Sequence, residues 1–265
     1  MFLSRINQNF EELSRQNRRG FIPFITAGDP DLETTRQLIV ELARVGATLI
    51  ELGIPFTDPM ADGPVIQRAS ERALRHPFGL EDVWRIVSAA RRETDVPIIL
   101  FSYFNPLLQF GVEKLAREAR AAGIDGVLVT DLVPEEAGEF AKVLKRNDLD
   151  MIFLIAPTST DERLEMVAAQ ASGFIYAVSR AGITGARREM SVEAEKLVHR
   201  MRRFSDLPIA VGFGISTSQH VADVWRYADA AVVGSAIVAR MEELETSSDL
   251  VSETGRFVSS LIPSS

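Results

Sequence analysis

The sequence predicts an α/β protein: a single (β/α)8 TIM barrel over residues 1–265, with an extra helix at the N-terminus. Three observations point there. Short apolar, β-rich runs alternate about eight times with segments of helical period. The runs are apolar on both faces, as in parallel strands covered by helices. Polar groups and glycines collect at one end of those runs, where a barrel carries its active site. A doubly wound open sheet is the alternative. It wants a glycine-rich nucleotide fingerprint after an early strand, and the first strand here is followed by AGDPDLETT, which lacks one.

Residues 2–17 place Leu3, Ile6, Phe10 and Leu13 at helical spacing. Phe21 to Gly28 reads as a strand, and Leu32 to Val45 as a helix stopped by Gly46. A second strand follows from Leu49 to Pro55, then helical patterns at Pro64–Leu74 and Leu80–Arg92. Pro97–Tyr103 is a strand, Tyr103 to Phe110 an apolar loop, and Val112–Ala122 a helix ending at Gly123. Gly126–Leu132 is a strand, and the helix Pro134–Arg146 opens on Pro-Glu-Glu, a favourable first turn. The pattern continues with strand Met151–Ala156, helix Asp161–Ala171 and strand Phe174–Ser179. After a glycine-rich loop come helix Ser191–Phe204, strand Pro208–Phe213, helix Ser216–Tyr227 and strand Ala230–Gly234. Helical stretches at Ser235–Leu244 and Leu250–Ile262 close the chain.

Bulk properties narrow the function. The length of 265 residues fits one large domain or two small ones. A net charge of −8 argues against a general binder of nucleic acid or anionic membranes. The absence of cysteine excludes disulfides, thiolate metal sites and a cysteine nucleophile. No secretory signal or membrane-length apolar run is visible, so the expected setting is the cytoplasm. A plastid after removal of a transit peptide stays open. None of His76, His199 and His220 falls at a strand end, which leaves no metal cluster and puts acid–base chemistry on carboxylates.

The stretch LIELGIPFTDPMADG, Leu49 to Gly63, is the centre of the pattern. Glu51 stands among apolar strand residues, where a carboxylate is costly unless it is paired or functional. The loop after it carries Asp58 and Asp62, which read either as turn formers or as chemical partners of Glu51. GFGIST and GSA, after the seventh and eighth strands, bring Gly212, Gly214, Gly234 and Ser235 to the corner where barrels hold phosphate. SRAGITGARREM, after the sixth strand, is long enough for a mobile lid or a surface insertion. Phe24, Leu100, Leu128 and Tyr176 either line a flat apolar pocket or fill the barrel core. The residues alone thus indicate a barrel enzyme with a phosphorylated substrate, an acid–base carboxylate and no metal.

LIELGIPFTDPMADG, FIPFITAGDP, SYFNPLLQFG, GIDGVLVTDL, YAVSRAGITG and VGFGIS together resemble the signature segments of the tryptophan synthase α subunit family, in that family's order and across almost the whole chain. The resemblance implies retro-aldol cleavage of indole-3-glycerol phosphate to indole and glyceraldehyde 3-phosphate. It implies that Glu51 shuttles protons at indole C3 and the glycerol hydroxyl, while Asp62 stabilises charge at the indole nitrogen. It implies an indole pocket of Phe24, Leu100, Leu128 and Tyr176, a lid carrying Thr184 and Gly185, and a phosphate site at Phe213, Gly214, Gly234 and Ser235. It further implies no cofactor in this chain, and an α2β2 heterotetramer whose β subunit carries pyridoxal phosphate. The sequence departs from the pattern at Thr130, where many relatives have proline, and in IAPTST, which has one proline where relatives often have two. A stand-alone indole-releasing lyase and a non-catalytic regulatory subunit are the other functions this resemblance leaves open.

Overall fold

The computed structural model describes residues 4–178, 187–212 and 214–263, and of residues 187–191 the backbone alone. The strands are β1 (Gly20–Thr26), β2 (Ile50–Gly53), β3 (Ile98–Ser102), β4 (Gly126–Val129), β5 (Asp150–Ile155), β6 (Ile175–Val178), β7 (Ile209–Gly212) and β8 (Ala230–Val233). Each pairs in parallel with the next, and β8 pairs with β1, so the sheet closes into a barrel. The helices among the described residues are α1 (Arg5–Arg15), α2 (Leu32–Arg44), α3 (Pro64–Ala73), α4 (Leu80–Ala90), α5 (Phe104–Phe110) and α6 (Val112–Ala122). They continue with α7 (Gly138–Arg146), α8 (Asp161–Gln170), α9 (Arg187–Met201), α10 (Ser218–Val224), α11 (Ser235–Glu243) and α12 (Leu250–Leu261). Local chemistry starts several of them. Asp31 accepts from the Thr34 N–H at 2.8 Å to cap α2, and Thr217 accepts from the His220 N–H to cap α10. Gly123, at φ 99°, ends α6 in the left-handed conformation that glycine adopts freely.

Strand residues alternate between two apolar layers. Ile50, Leu52, Ile98, Leu100, Val127, Met151 and Val211 pack between the sheet and the helices. Ile22, Ile99, Leu128, Ile152, Tyr176, Ala210 and Val232 fill the lumen. The barrel is therefore a packed core in which every inward position is set by strand register.

The extra N-terminal helix closes the floor. Ile6 and Phe10 of α1 join the lumen cluster, with the Phe10 ring 5.9 Å from that of Phe174. Asn9 donates to the Thr48 carbonyl at 2.8 Å. Asp125, just before β4, accepts from Arg5 at 2.9 Å, from Arg91 at 2.8 Å and from the Ile98 N–H at 2.9 Å. A buried carboxylate is tolerated here because three donors surround it.

Two elements differ from the sequence reading. Tyr103 to Phe110 is not a loop: Phe104–Phe110 forms α5. The cause is tertiary, because Asp131, from the turn after β4, accepts the Phe104 N–H at 2.7 Å and caps the helix from another part of the chain. Helix α7 begins at Gly138 rather than Pro134. The Glu136 N–H turns back to the Val133 carbonyl, and the Pro134 carbonyl is taken by the Gln170 side chain, so the first predicted turn never joins the helix.

The floor should be a stability determinant separate from the mouth. Asp125→Ala leaves the half-buried Arg91 without its carboxylate and should cost about 3–5 kcal/mol. The check is the shift in urea midpoint at constant slope. A change within ~0.5 kcal/mol, the usual range for surface positions, would show that the cluster does not hold the floor.

Candidate active site

The mouth of the barrel is built from the carboxyl ends of the strands, and Glu51 stands at its centre. Register puts Glu51 beside Phe24 of β1 and Ile99 of β3, and its neighbours Ile50 and Leu52 face the helices, so its side chain faces the lumen. It is 1% exposed, and its Oε1 has no hydrogen-bond partner among the described residues. Burial pushes its pKa well above the ordinary 4.5, because the charged form loses hydration and gains no cation. Tyr176 shares this lumen. Burial and then the nearby Glu51 charge push its phenol pKa well above 10.

Two glycines make room for the aromatic walls. A Cβ on Gly53 would lie 2.4 Å from Cζ of Phe24, and one on Gly212 would lie 1.9 Å from the Tyr176 hydroxyl. Phe24 also meets Phe101 edge-on, with ring centroids 5.3 Å apart at 82°. Between them lies a cavity of about 10 Å³ lined by Phe24, Thr26, Asp62, Ile66, Phe101 and Tyr103, among others. That is room for about one water, so an aromatic ligand enters only if these walls part.

Asp62 reaches the same cavity from the loop after β2. The Tyr103 hydroxyl accepts the Ala61 N–H at 2.9 Å, which fixes the loop over the mouth, and lies near enough to the Asp62 carboxylate to act on its pKa. Burial raises the Asp62 pKa above 3.8, and the Tyr103 hydrogen bond opposes that rise. Asp58, on the same loop, is exposed and does not line the cavity.

The expected site residues divide as follows. Glu51, Phe24, Leu128 and Tyr176 face the lumen, and Asp62 the cavity above it. Leu100 does not line the pocket; it is fully buried in the outer layer against the helices. Alternation along β3 hands that place to Phe101. Gly234 opens α11, where its carbonyl accepts from the Ile237 and Val238 N–H groups and no side chain caps the helix. Exposed Ser235 follows it, and Gly214 takes φ 74° in the turn after β7. Thr184, Gly185 and Phe213 lie outside the described residues. Sequence reasoning missed Tyr103 as the anchor of Asp62. Its only signal was a polar aromatic residue at a strand end. Among the described residues no group of three or more His, Cys, Asp or Glu side chains is placed to hold a metal ion.

Tyr103→Phe removes the bond that lowers the Asp62 pKa, so the Asp62 carboxyl should titrate at higher pH than in the parent protein. Carbon NMR of the labelled side chain reads this directly. An unchanged titration would mean that the hydroxyl serves the Ala61 backbone alone.

Comparison with known proteins bears on the family and the fold. Residues 10–260 match the family model described as tryptophan synthase alpha chain. The tryptophan synthase alpha chain of Geobacter sulfurreducens is 48% identical over 259 residues, 98% of each chain. That of Solibacter usitatus is 48% identical over 241 residues, 91% of this chain and 90% of the relative. The crystal structure of the α subunit from Legionella pneumophila superposes with TM-score 0.91 at 37% identity, covering 98% of this chain and 97% of that one. A chain of the tryptophan synthase a2b2 complex from Pyrococcus furiosus gives TM-score 0.84 at 40% identity, over 91% of this chain and 97% of that one. With near full-length matches on both sides, this chain belongs to the tryptophan synthase alpha chain family.

Proposed function

We propose that the chain cleaves indole-3-glycerol phosphate to indole and D-glyceraldehyde 3-phosphate, the α reaction of tryptophan biosynthesis. The observation that carries the mechanism is Glu51: a buried lumen-facing carboxyl with an orphaned oxygen and a raised pKa. Such a group starts protonated and can deliver its proton to indole C3. The ring nitrogen then carries positive charge, which Asp62, ionised at the far wall, stabilises. Glu51, now a carboxylate, takes the proton of the hydroxyl on the carbon attached to C3. The C–C bond breaks, its electron pair returns to the ring, and the aldehyde forms. Glu51 ends as it began. Phe24, Phe101, Leu128 and Tyr176 hold the ring, and the open N–H groups at the start of α11, with Gly214 opposite, receive the phosphate.

The partner is a tryptophan synthase β subunit, which supplies pyridoxal phosphate chemistry of its own. The rim beside the mouth supports this. Met60 is 81% exposed and Leu108 is 50% exposed, and a groove of about 410 Å³ runs along Phe56, Pro59, Met60 and Leu74. Leu107, in contrast, is fully buried under α5 and belongs to the fold. The fitting setting is a soluble compartment; among the described residues no helix is long and apolar enough to cross a membrane.

Three outcomes test this reading. Glu51→Gln keeps the shape and loses the proton, so kcat should fall at least roughly 10²-fold with the substrate still bound. Turnover within a few-fold of the parent enzyme would remove Glu51 from the mechanism.

The pH profile of kcat/KM should be bell-shaped. Its acid limb follows Asp62, which must be ionised and titrates above 3.8; its alkaline limb follows Glu51, which must be protonated and titrates well above 4.5. Stability carries the same sign. A carboxyl whose folded pKa is raised stabilises below its unfolded pKa, and this contribution is lost as pH rises through the folded one. Glu51→Gln should therefore flatten the loss of melting temperature on the alkaline side. An alkaline limb that survives Glu51→Gln would contradict the assignment.

For the partner, Leu108→Asp should weaken association with a β subunit at micromolar concentration and leave the melting temperature unchanged. Undiminished association would move the interface elsewhere.

A further inference from the structure

Thr26 is the last inward position of β1, two residues beyond Phe24 and opposite Gly53 on β2. It is 1% exposed, and its Oγ1 has no partner among the described residues. Other buried threonines show what the fold does with such a group when it is structural. The Thr35 hydroxyl accepts from the Gly28 N–H and donates to the Asp31 carbonyl. The Thr48 hydroxyl accepts from the Phe21 N–H at 3.0 Å. Thr254 is also orphaned, but it sits on α12 and lines neither the cavity nor the groove described above. Among the described residues, Thr26 alone combines an orphaned buried hydroxyl with a place in the cavity wall.

The surrounding wall narrows what the hydroxyl meets. The Tyr103 hydroxyl is engaged by Ala61 and Asp62, and the Ser102 hydroxyl donates to the Tyr103 carbonyl at 2.9 Å. Phe24 and Phe101, in edge-to-face contact, supply the apolar part of the wall. Thr26 and Asp62 line this same cavity, so an aromatic ring that parts its walls comes within reach of both.

We propose that the Thr26 hydroxyl is a second polar contact for the nitrogen-bearing edge of the substrate's aromatic ring, beside Asp62. The inference rests on the reaction proposed above. A buried hydroxyl left unpaired costs stability, and a ligand that pairs it recovers that cost on binding. Thr26 is thus a binding group that the fold keeps at its own expense.

The test uses a non-cleavable indole carrying a three-carbon phosphate chain without hydroxyls, so that the ring edge and the phosphate are its only polar groups. Thr26→Val keeps the shape and removes the hydroxyl. The analogue should bind about three- to tenfold more weakly, while the melting temperature of the free protein stays level or rises. Thr26→Ser should restore the affinity. Equal binding by Thr26→Val overturns the proposal, as does a Thr26→Ser as weak as Thr26→Val, or a fall in melting temperature with Thr26→Val. An effect seen on the KM of the natural substrate but not on the analogue would place the contact on the hydroxylated chain and overturn the ring-edge assignment. If the parent protein neither binds the analogue nor cleaves the substrate, the function proposed above fails first, and independently of Thr26.

Discussion

An unpaired carboxyl inside an apolar lumen is the constraint around which this barrel is arranged. Among the described residues no cation offsets the burial of Glu51, and burial alone raises its pKa. The neutral form is the one such a site tolerates, since an isolated carboxylate there would forfeit its hydration. The rest of the mouth follows. Strand β2 holds Glu51 inward by register, and Phe24, Ile99 and Tyr176 keep its surroundings apolar. Asp62, which must keep its charge, is held farther out on a half-exposed loop and is given a hydroxyl donor. Burial raises both carboxyls, Glu51 well above its ordinary value, while the Tyr103 hydroxyl opposes the rise at Asp62, so environment alone treats the two differently.

Floor and mouth divide the remaining demands. The buried charges near the floor, Asp125 with Arg5 and Arg91, are fully partnered. So is Asp29, which Arg72 of α3 grips through both carboxylate oxygens at 2.7 and 2.8 Å. Arg72 also reaches Glu242 of α11, tying the helix after the Asp62 loop to the helix that opens at Gly234. The orphaned polar atoms Glu51 Oε1 and Thr26 Oγ1 face the mouth. The unsatisfied groups at the mouth are those a substrate would meet; away from it, Asp150 Oδ2 at the start of β5 is also without a partner among the described residues. The small cavity fits this picture, because aromatic walls packed onto each other leave little empty volume.

Much of this was legible in the chain. Eight alternations of strand and helix gave the barrel, and a glutamate between Ile50 and Leu52 marked the buried lumen carboxyl. What escaped notice depended on pairing between distant segments. Strands buried on both faces carry no polar alternation, so Leu100 could not be told from Phe101 until register with Glu51 fixed which one faced inward. Helix α5 was hidden because its cap, Asp131, is 27 residues away in sequence. Leu107, within the stretch that reads as a loop, is therefore buried. Tyr103 and Thr26 matter through partners, one present and one missing, that no local pattern encodes.

The protonation state of Glu51 is the most direct measurement. With carbon-labelled glutamate and the Glu51→Gln protein to assign the signal, the carboxyl resonance can be followed against pH in the free chain. The account predicts a carboxyl that stays protonated well past 4.5, the ordinary value for glutamate. A Glu51 signal that titrates at or below that value would contradict it, because the group would then begin the reaction without the proton it has to give.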